Sequence, residues 1–159
     1  MDYTFQYTSP LGKITLVSDG KYLTGLYFGG LNTQRQEKLL PIFKQTCKWL
    51  DIYFSGKEPD FMPPLKIQTT PFRRQVWEIM LKIPYGKTIS YGEIAAKIAK
   101  KKEIKKMSAQ AVGGAVGSNA IAIIIPCHRV IGTNCNLTGY AAGLSKKIKL
   151  LKLEKSLYF

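Results

Sequence analysis

The stretch Ser55-Gly-Lys-Glu-Pro-Asp-Phe-Met-Pro-Pro-Leu-Lys-Ile-Gln-Thr-Thr70 decides how the fold is organised, because it carries three prolines and no apolar period. Proline removes a backbone donor and restricts the residue before it, so this composition is typical of a connector. We place a domain boundary here and expect two domains, residues 1–68 and 69–159. The chain of 159 residues is 45% apolar and can bury an interior.

The residues before the connector predict a small antiparallel sheet with one helix. Polarity alternates from Tyr3 to Thr8, and turn residues at 9–12 and 19–20 separate this stretch from two further strand-like segments. Pro41 stands where a helix can begin, and apolar residues recur at helical spacing up to Phe54. We predict a three-stranded meander with a helix on one face.

The residues after the connector predict helices. Thr70, Ser90 and Ser108 are good N-cap residues, and each precedes a stretch in which apolar or small side chains recur at helical spacing. The predicted fold class is α+β. The small N-terminal sheet and its helix are followed by a mainly helical C-terminal domain with a helix-turn-helix and a short strand that ends at Pro126.

The helix predicted after Ser108 consists almost entirely of small residues, Ala109-Gln-Ala-Val-Gly-Gly-Ala-Val-Gly117. A glycine inside a helix costs about 1 kcal/mol relative to alanine, so two of them need an explanation. One explanation is a thin face that approaches a large surface, such as a DNA groove. Tight packing against the core explains the glycines equally well, and the spacing leaves both open.

The charge of the chain is uneven. The formal net charge is +14, of which residues 1–70 carry +2 and residues 71–159 carry +12. A basic half favours a polyanionic partner, most commonly nucleic acid. The run at 100–106, which holds five lysines, is either a solvated loop or a contact to phosphates.

Several classes of protein are disfavoured. No apolar run approaches the ~20 residues of a membrane span, and the first residues lack a secretory signal, so we expect a cytoplasmic protein without a membrane partner. The three cysteines form no CxxC pair and argue against a secreted disulfide framework. One histidine with scattered thiols offers no metal site, so we expect none.

The chemically informative residues follow a β-branched run, Ile121-Ala-Ile-Ile-Ile125, which we interpret as a buried strand ending at Pro126-Cys-His-Arg129. A thiolate is a nucleophile that needs a proton acceptor, and His128 is the only histidine. A bridging water is expected to link them, and Glu154, the only acidic residue after Glu103, can orient the imidazole. A structural role for a buried cysteine and a lone histidine remains the alternative. Cys47 is interpreted as core filler and Cys135 as a bystander thiol in a turn.

These residues resemble a known family. Ile123-Ile-Ile-Pro-Cys-His-Arg-Val-Ile131 is similar to the active-site motif of the O6-alkylguanine-DNA alkyltransferases, also called methylated-DNA--protein-cysteine methyltransferases. The similarity extends over most of the chain. Other matching segments are Thr70-Pro-Phe72, Ile83-Pro-Tyr-Gly86, Ser90-Tyr-Gly-Glu-Ile-Ala95, Ala111-Val-Gly-Gly-Ala115 and Thr138-Gly-Tyr-Ala141, with a terminal Leu150-Leu-Lys-Leu-Glu154.

The resemblance implies a DNA repair protein that needs no cofactor. Such a protein flips an O6-alkylated guanine (or O4-methylthymine) out of double-stranded DNA through the minor groove and transfers the alkyl group irreversibly to the cysteine matching Cys127. It implies that His128 accepts the thiol proton through water, that Glu154 orients His128, and that Tyr91 stabilises the leaving base. The implied pocket residues are Val130, Tyr140, Ala141, Ala142 and Asn119. The implied DNA-binding residues are Ser90, Tyr91, Ser108, Gln110, Ala111, Gly113, Gly114 and Arg129.

The sequence departs from the family pattern at three positions. Gln110 stands where many members have an arginine that fills the gap left by the flipped base, and a glutamine can still hydrogen-bond the orphaned cytosine. Ala142 replaces a glycine in the pocket loop, which predicts lower tolerance of bulky alkyl groups. Cys135 stands where a turn glycine is common, and the zinc ligands of some members' front domain are missing.

Three functions therefore remain to be compared. The first is the single-turnover alkyltransferase, and the second is a related sensor that binds alkylated DNA without accepting the group. The third is an unrelated cysteine hydrolase, for which the sequence shows no oxyanion motif. Because the related sensors lack the reactive cysteine, the intact Pro126-Cys-His-Arg129 favours the first. No obligate protein partner is visible, and we expect a monomer.

Overall fold

The computed structural model describes residues 2–30, 36–132 and 139–156. The chain divides into two compact units: Met1–Gln68 with Ala120–Ile124, and Thr69–Asn119 with Ile125–Phe159. Residues 120–124 fall within the range predicted for the second domain but group with the first unit. The prediction about Cys135 lies outside the described residues.

The first unit is built on a four-stranded sheet in the order β3-β2-β1-β4. The strands are β1 (Tyr3–Ser9), β2 (Gly12–Ser18), β3 (Leu23–Phe28) and β4 (Gln36–Glu37). The first three form the predicted antiparallel meander, whereas β4 pairs in parallel with the start of β1. The predicted three-stranded sheet is therefore corrected to four strands. The fourth cannot be read from the sequence, because two exposed residues show no alternation of polarity.

Helix α1 (Pro41–Phe54) packs against this sheet, as its apolar spacing predicts. Phe43 is fully buried and stacks on Phe5 of β1, with ring centroids 6.0 Å apart. Leu50 and Tyr53, further along the same helix, are also fully buried. Burying one such side chain stabilises a fold by about 1.5–3 kcal/mol, so the first unit has a core of its own.

The second unit is mainly helical, as predicted. Its helices are α2 (Pro71–Leu81), α3 (Tyr91–Lys101), α4 (Ala109–Gly117) and α5 (Leu144–Leu153). A short parallel ladder pairs β5 (Ile89–Ser90) with β6 (Val130–Ile131). Among the described residues, no helix is long and apolar enough to cross a membrane.

The predicted N-caps set the start of three helices. The hydroxyl oxygens of Thr70, Ser90 and Ser108 each accept a hydrogen bond from the backbone N–H three residues further on. A cap of this kind stabilises a helix by roughly 1 kcal/mol. Trp77 of α2 donates its indole N–H to the Ala115 carbonyl at 2.9 Å and so fixes α4 against α2. Helices α3 and α4 form the predicted pair of short helices joined by a turn.

The strand predicted at Ile121–Ile125 does not form. The segment makes a single bridge to Leu26 at Ile121, and the chain then turns at Ile123, whose φ is +68°. The Ile124 N–H donates to the Ala122 carbonyl at 2.8 Å, which closes a three-residue turn. Four isoleucines of the run are buried as expected, but a short apolar run does not distinguish a buried strand from a buried turn. The strand near the cysteine is instead β6, which comes after it.

Candidate functional site

Two tight turns position Cys127. Pro126 has φ −83° and ψ 69°, and the Cys127 N–H donates across it to the Ile125 carbonyl at 2.8 Å, the geometry of an inverse γ-turn. Cys127–Arg129 then forms a single 3₁₀ turn that leads directly into β6. Because proline fixes φ, the backbone of the cysteine is held by its own local sequence. This arrangement replaces the expected end of a strand.

The thiol of Cys127 lies among polar groups in a buried environment, with 8% of the residue exposed. Burial raises the pKa of the Cys127 thiol, and hydrogen bonds with Asn119 and Tyr140 and the charge of Lys147 offset part of this increase. Burial also raises the pKa of Tyr140 well above its ordinary value, so the phenol stays protonated beside the sulfur. The resting thiol is therefore neutral and needs a base before it can act as a nucleophile.

Asn119 links the thiol to the turn that carries it. Its side-chain amide donates to the Ile125 carbonyl at 2.8 Å, and the same side chain hydrogen-bonds the sulfur. Ile125 is also the acceptor of the Cys127 N–H, so one carbonyl is shared by the asparagine and the cysteine backbone. This places Asn119 as a brace of the turn.

His128 and Glu154 form a fully buried pair. The His128 Nε2 lies 2.6 Å from the Glu154 Oε2, and neither side chain is exposed. Burial lowers the pKa of His128, and the neighbouring Glu154 offsets part of this decrease, so the imidazole is neutral near pH 7. An ionised carboxylate only accepts hydrogen bonds, so the neutral ring carries its hydrogen on Nε2 and presents Nδ1 as a proton acceptor.

Arg129 holds the carboxylate of Glu154 in place. Its Nε donates to Oε1 at 2.8 Å and its Nη2 to Oε2 at 3.1 Å, a two-pronged contact that fixes both oxygens. Burial alone raises the pKa of Glu154, but hydrogen bonds and charges from His128 and Arg129 lower it to about 2. The glutamate is therefore ionised at every physiological pH and fixes the orientation of His128.

The structure places Arg129, which was predicted to bind DNA, in a largely buried set of contacts. The residue is 9% exposed, and its guanidinium also donates to the Ile83 carbonyl at 2.8 Å and stacks on the Tyr85 ring, 5.6 Å from its centroid. Three of the five guanidinium N–H groups are thus directed at acceptors inside the protein, which favours a structural role for Arg129 over a DNA contact. The sequence could not show this, because arginine beside a candidate nucleophile is as compatible with a DNA contact as with a buried ion pair.

A cavity of about 420 Å³ lies where α3 and α4 begin. It is lined by Tyr91, Gly92, Ala109, Gln110, Gly113, Gly132 and Gly139. Three of the predicted site residues, Tyr91, Gln110 and Gly113, thus meet at one opening. The nearly buried Cys127 is not among the described lining residues. In the part of the chain that the structure describes, no cluster of His, Cys, Asp and Glu side chains could hold a metal ion.

Helix α4 presents a thin exposed face. Gln110, Ala111 and Gly114 are exposed, whereas Val112, Ala115 and Val116 are buried. A Cβ added to Gly114 would have no atom within 4 Å, and one added to Gly113 would meet the Tyr91 ring at 3.9 Å, an ordinary contact. Packing inside the protein therefore does not require glycine at either position. Of the two explanations left open by the sequence, the close approach of an external surface is the one this geometry favours.

The chain matches family profiles along most of its length. Residues 2–67 match the ribonuclease-like domain of 6-O-methylguanine DNA methyltransferase, and residues 71–156 match the DNA binding domain of the same protein. The chain belongs to the 6-O-methylguanine DNA methyltransferase family. The predicted resemblance is confirmed, and the fold class with it.

Individual members of the methyltransferase family are similar to this chain over nearly its whole length. The methylated-DNA--protein-cysteine methyltransferase of Haemophilus influenzae is 39% identical over 98% of this chain and 87% of its own length. That of Methanosarcina mazei is 43% identical over 93% of this chain and 94% of its own. The crystal structure of Mycobacterium tuberculosis OGT in complex with DNA superposes with a TM-score of 0.85 at 41% identity, covering 97% of this chain and 93% of that one.

Four further predicted site residues lie at helix caps or in a turn. Ser90 and Ser108 use one lone pair of their hydroxyl oxygens as helix caps, and the O–H hydrogen of each can still be donated to an acceptor such as a phosphate. Ala141 and Ala142 are the central residues of a turn closed by the Gly143 N–H on the Tyr140 carbonyl at 2.8 Å. Neither alanine has a positive φ, so the backbone of this family member does not need a glycine there.

Sequence reasoning missed one buried residue of the site, Lys147. It is fully buried on α5, and its ammonium donates to the Val130 carbonyl at 2.7 Å. A signal was present, because Lys147 shares helical spacing with Leu150, Leu151 and Glu154, which are all buried. A lysine within an apolar helix face indicates a partner inside the protein.

Proposed function

We propose that this protein repairs DNA by direct damage reversal, transferring the methyl or other alkyl group of an O6-alkylguanine in DNA to Cys127 in one irreversible step. In enzyme terms this is a methylated-DNA--[protein]-cysteine S-methyltransferase that is consumed by its own reaction. The observation that carries the proposal is the buried 2.6 Å contact between His128 and Glu154, next in sequence to a buried cysteine, in a chain of this family. O4-methylthymine is a second substrate of the same chemistry.

The domain of residues 69–159 binds double-stranded DNA in this proposal. The exposed face formed by Gln110, Ala111 and Gly114 enters the minor groove, where short side chains allow the backbone to come close to the bases. Gln110 occupies the space left by the extruded base and hydrogen-bonds the orphaned cytosine, without the charge of an arginine. The Ser90 and Ser108 hydroxyls donate to phosphates, and the excess of +12 on residues 71–159 adds an attraction that depends on salt.

The transfer begins with removal of the thiol proton. The proton of Cys127 passes through a water molecule to Nδ1 of His128, and the resulting imidazolium is stabilised by the ionised Glu154. Arg129 acts behind the glutamate by holding both of its oxygens. This relay supplies the thiolate that the buried environment otherwise disfavours.

The chemical step is a displacement at carbon. The thiolate attacks the alkyl carbon, the new C–S bond forms as the bond to O6 breaks, and the electron pair of the broken bond stays on the guanine. The Tyr91 hydroxyl stabilises that charge by donating to N3 of the base. The Val130 and Cys127 carbonyls accept from the exocyclic amine, Ala141 donates its N–H to O6, and Tyr140 and Ala142 form the pocket wall. No cofactor takes part.

The reaction and its surroundings suggest a cytoplasmic monomer. Of the described cysteines, Cys47 and Cys127 are both free thiols, and a free nucleophilic thiol functions where the environment is reducing. The proposed chemistry uses side chains of a single chain throughout. A second copy of the protein is not needed to complete the site.

Intact-protein mass spectrometry tests the proposal. After incubation with a duplex oligonucleotide containing O6-methylguanine, the protein is expected to gain the mass of one CH₂ group at a one-to-one stoichiometry, without further turnover. Cys127→Ala removes the gain, whereas the matched control Cys47→Ala keeps it. Binding of the oligonucleotide without a mass change would indicate a sensor instead, and a gain that survives Cys127→Ala would refute the assigned nucleophile.

A further inference from the structure

Lys147 is an unusual residue for the interior of a protein. It is fully buried on α5, and its ammonium donates to the Val130 carbonyl at 2.7 Å and to the Gly139 carbonyl at 3.5 Å. Lysines are almost never fully buried unless paired, because removing an ammonium from water is costly. A side chain kept inside at that cost is expected to interact with a group that gains from a positive charge.

The position of Lys147 relates it to both parts of the reaction. Val130, whose carbonyl it holds, begins β6 directly after the 3₁₀ turn that carries Cys127, and α5 packs against that turn. The Gly139 carbonyl belongs to a residue that lines the cavity and precedes Tyr140, which hydrogen-bonds the thiol. One ammonium therefore connects the backbone that follows the Cys127 turn with the backbone next to Tyr140.

The charges of the groups around the Cys127 thiol indicate what the Lys147 ammonium does there. The titratable side chains of the surrounding elements are His128 and Arg129 on the turn, Tyr140 before α5, and Lys147 and Glu154 on or after α5; the other lysines of α5, Lys146, Lys149 and Lys152, are partly or fully exposed to solvent. Arg129 and Glu154 are opposite charges in direct contact and largely neutralise each other, while His128 and Tyr140 are neutral at rest. Among the described residues of these elements, Lys147 is thus the buried cation whose charge acts on the sulfur.

We propose that Lys147 is a positioning residue that stabilises the Cys127 thiolate through its charge while it holds the Val130 carbonyl in place for the flipped base. This inference rests on the proposed alkyl transfer and deepens it. Lys147 keeps its own protons throughout, since the proton of the sulfur leaves toward His128. The charge and the hydrogen bond of Lys147 therefore have different consequences, and substitutions can distinguish between them.

The mutual influence of the two groups supports this assignment. The charge of Lys147 lowers the pKa of the Cys127 thiol against the effect of burial. Burial lowers the pKa of Lys147, and a negative charge on Cys127 raises it again. Formation of the thiolate therefore favours the charged lysine, and the charged lysine favours the thiolate.

Four variants separate charge from structure. Lys147→Arg keeps the charge, Lys147→Gln keeps a donor without the charge, and Lys147→Met keeps neither. Lys149→Met is the matched control, because Lys149 is an exposed lysine on the same helix. Thermal unfolding is recorded for each variant, and Lys147→Gln alone suffices for the conclusion if the methionine variant does not fold.

The first readout needs no DNA. The rate at which iodoacetamide modifies Cys127 is followed as a function of pH by peptide mass spectrometry. We expect the midpoint of the rate profile to rise by about 1 unit or more in the Gln and Met variants and to stay near wild type in Lys147→Arg and Lys149→Met. A glutamine variant with the wild-type midpoint would overturn the proposal, since it would show that Lys147 acts only as a structural donor.

The second readout is the rate of methyl transfer from an O6-methylguanine oligonucleotide at neutral pH. A rise of one unit in the thiol pKa reduces the thiolate population about tenfold, so a loss of at least that size is expected for Lys147→Gln. If wild type transfers the methyl group and the glutamine variant transfers it equally fast, the role of Lys147 is refuted and the proposed function stands. If wild type transfers nothing, the proposed function fails, and this role for Lys147 falls with it.

Discussion

Replacing Gly114 with alanine is expected to stabilise the protein and at the same time weaken its binding to DNA. Gly114 lies inside α4, is exposed, and has no positive φ. An added Cβ would meet no atom within 4 Å, so the folded state accepts it without strain. Alanine restricts the unfolded chain and favours the helix, and the expected gain is about 0.5–1 kcal/mol in the free energy of unfolding.

The effect on binding has the opposite sign, because the added methyl group stands on the face proposed to enter the minor groove. That groove is only about 6 Å wide in B-DNA. An extra methyl group in a closely packed contact costs roughly 1–3 kcal/mol, which corresponds to a loss of about 5- to 150-fold in affinity. Stability and binding thus separate, which a general disturbance of the helix would not produce.

The measurements are thermal unfolding by circular dichroism and fluorescence anisotropy with a labelled duplex at fixed salt. A gain of 1 kcal/mol raises the unfolding temperature of a chain of this size by roughly 2–4 °C. Gly30→Ala is the control, since Gly30 is exposed, lies outside the proposed DNA-binding domain and has no positive φ; its affinity should not change. Unchanged affinity in Gly114→Ala would refute the placement of this face in the groove, and a less stable protein would refute the helix argument.

Three further predictions concern the buried charges and the pocket. The pKa of Glu154 falls from about 4.5 in the unfolded chain to about 2 in the folded protein, so the unfolded state binds more protons between these two values. The glutamate therefore adds about 3 kcal/mol to the free energy of unfolding above pH 4.5, and this contribution is lost as the pH falls toward 2. Urea unfolding between pH 2 and 6 measures this, and Glu154→Gln should remove that part of the pH dependence. Arg129→Met leaves the buried carboxylate without its cation, so it should lower the free energy of unfolding by about 3–5 kcal/mol. The dependence of DNA affinity on salt should not change. A shallower salt dependence at unchanged stability would instead indicate that Arg129 contacts a phosphate. Ala142→Gly removes a methyl group from the pocket wall and should increase the rate of benzyl transfer relative to methyl transfer in a competition assay, and an unchanged ratio would exclude Ala142 from the wall.

The sequence was informative wherever structure is determined locally. The caps at Thr70, Ser90 and Ser108 are recognisable because a hydroxyl and the backbone N–H three residues later interact within one turn. The candidate pair of His128 and Glu154 could be named because the chain offers only one histidine and one acidic residue after Glu103.

Features that depend on distant partners could not be predicted. Arg129 interacts with a carboxylate 25 positions away and Lys147 with a carbonyl 17 positions away, and a charged residue read alone is expected to face solvent. The turn at Ile123 has no local signal, because a β-branched residue rarely adopts a positive φ. Such a conformation costs about 1–3 kcal/mol and persists only where the surrounding structure imposes it.

The distance in sequence between His128 and Glu154 has a consequence for the order in which the site is completed during protein synthesis. The two residues are 26 positions apart, and the glutamate follows the last turn of α5. During translation Cys127 and His128 emerge from the ribosome first, and the histidine lacks its carboxylate until residue 154 has also emerged. The nascent chain is thus expected to carry a thiol without a working base, and the nucleophile gains its reactivity only after α5, which immediately precedes the glutamate, has been made.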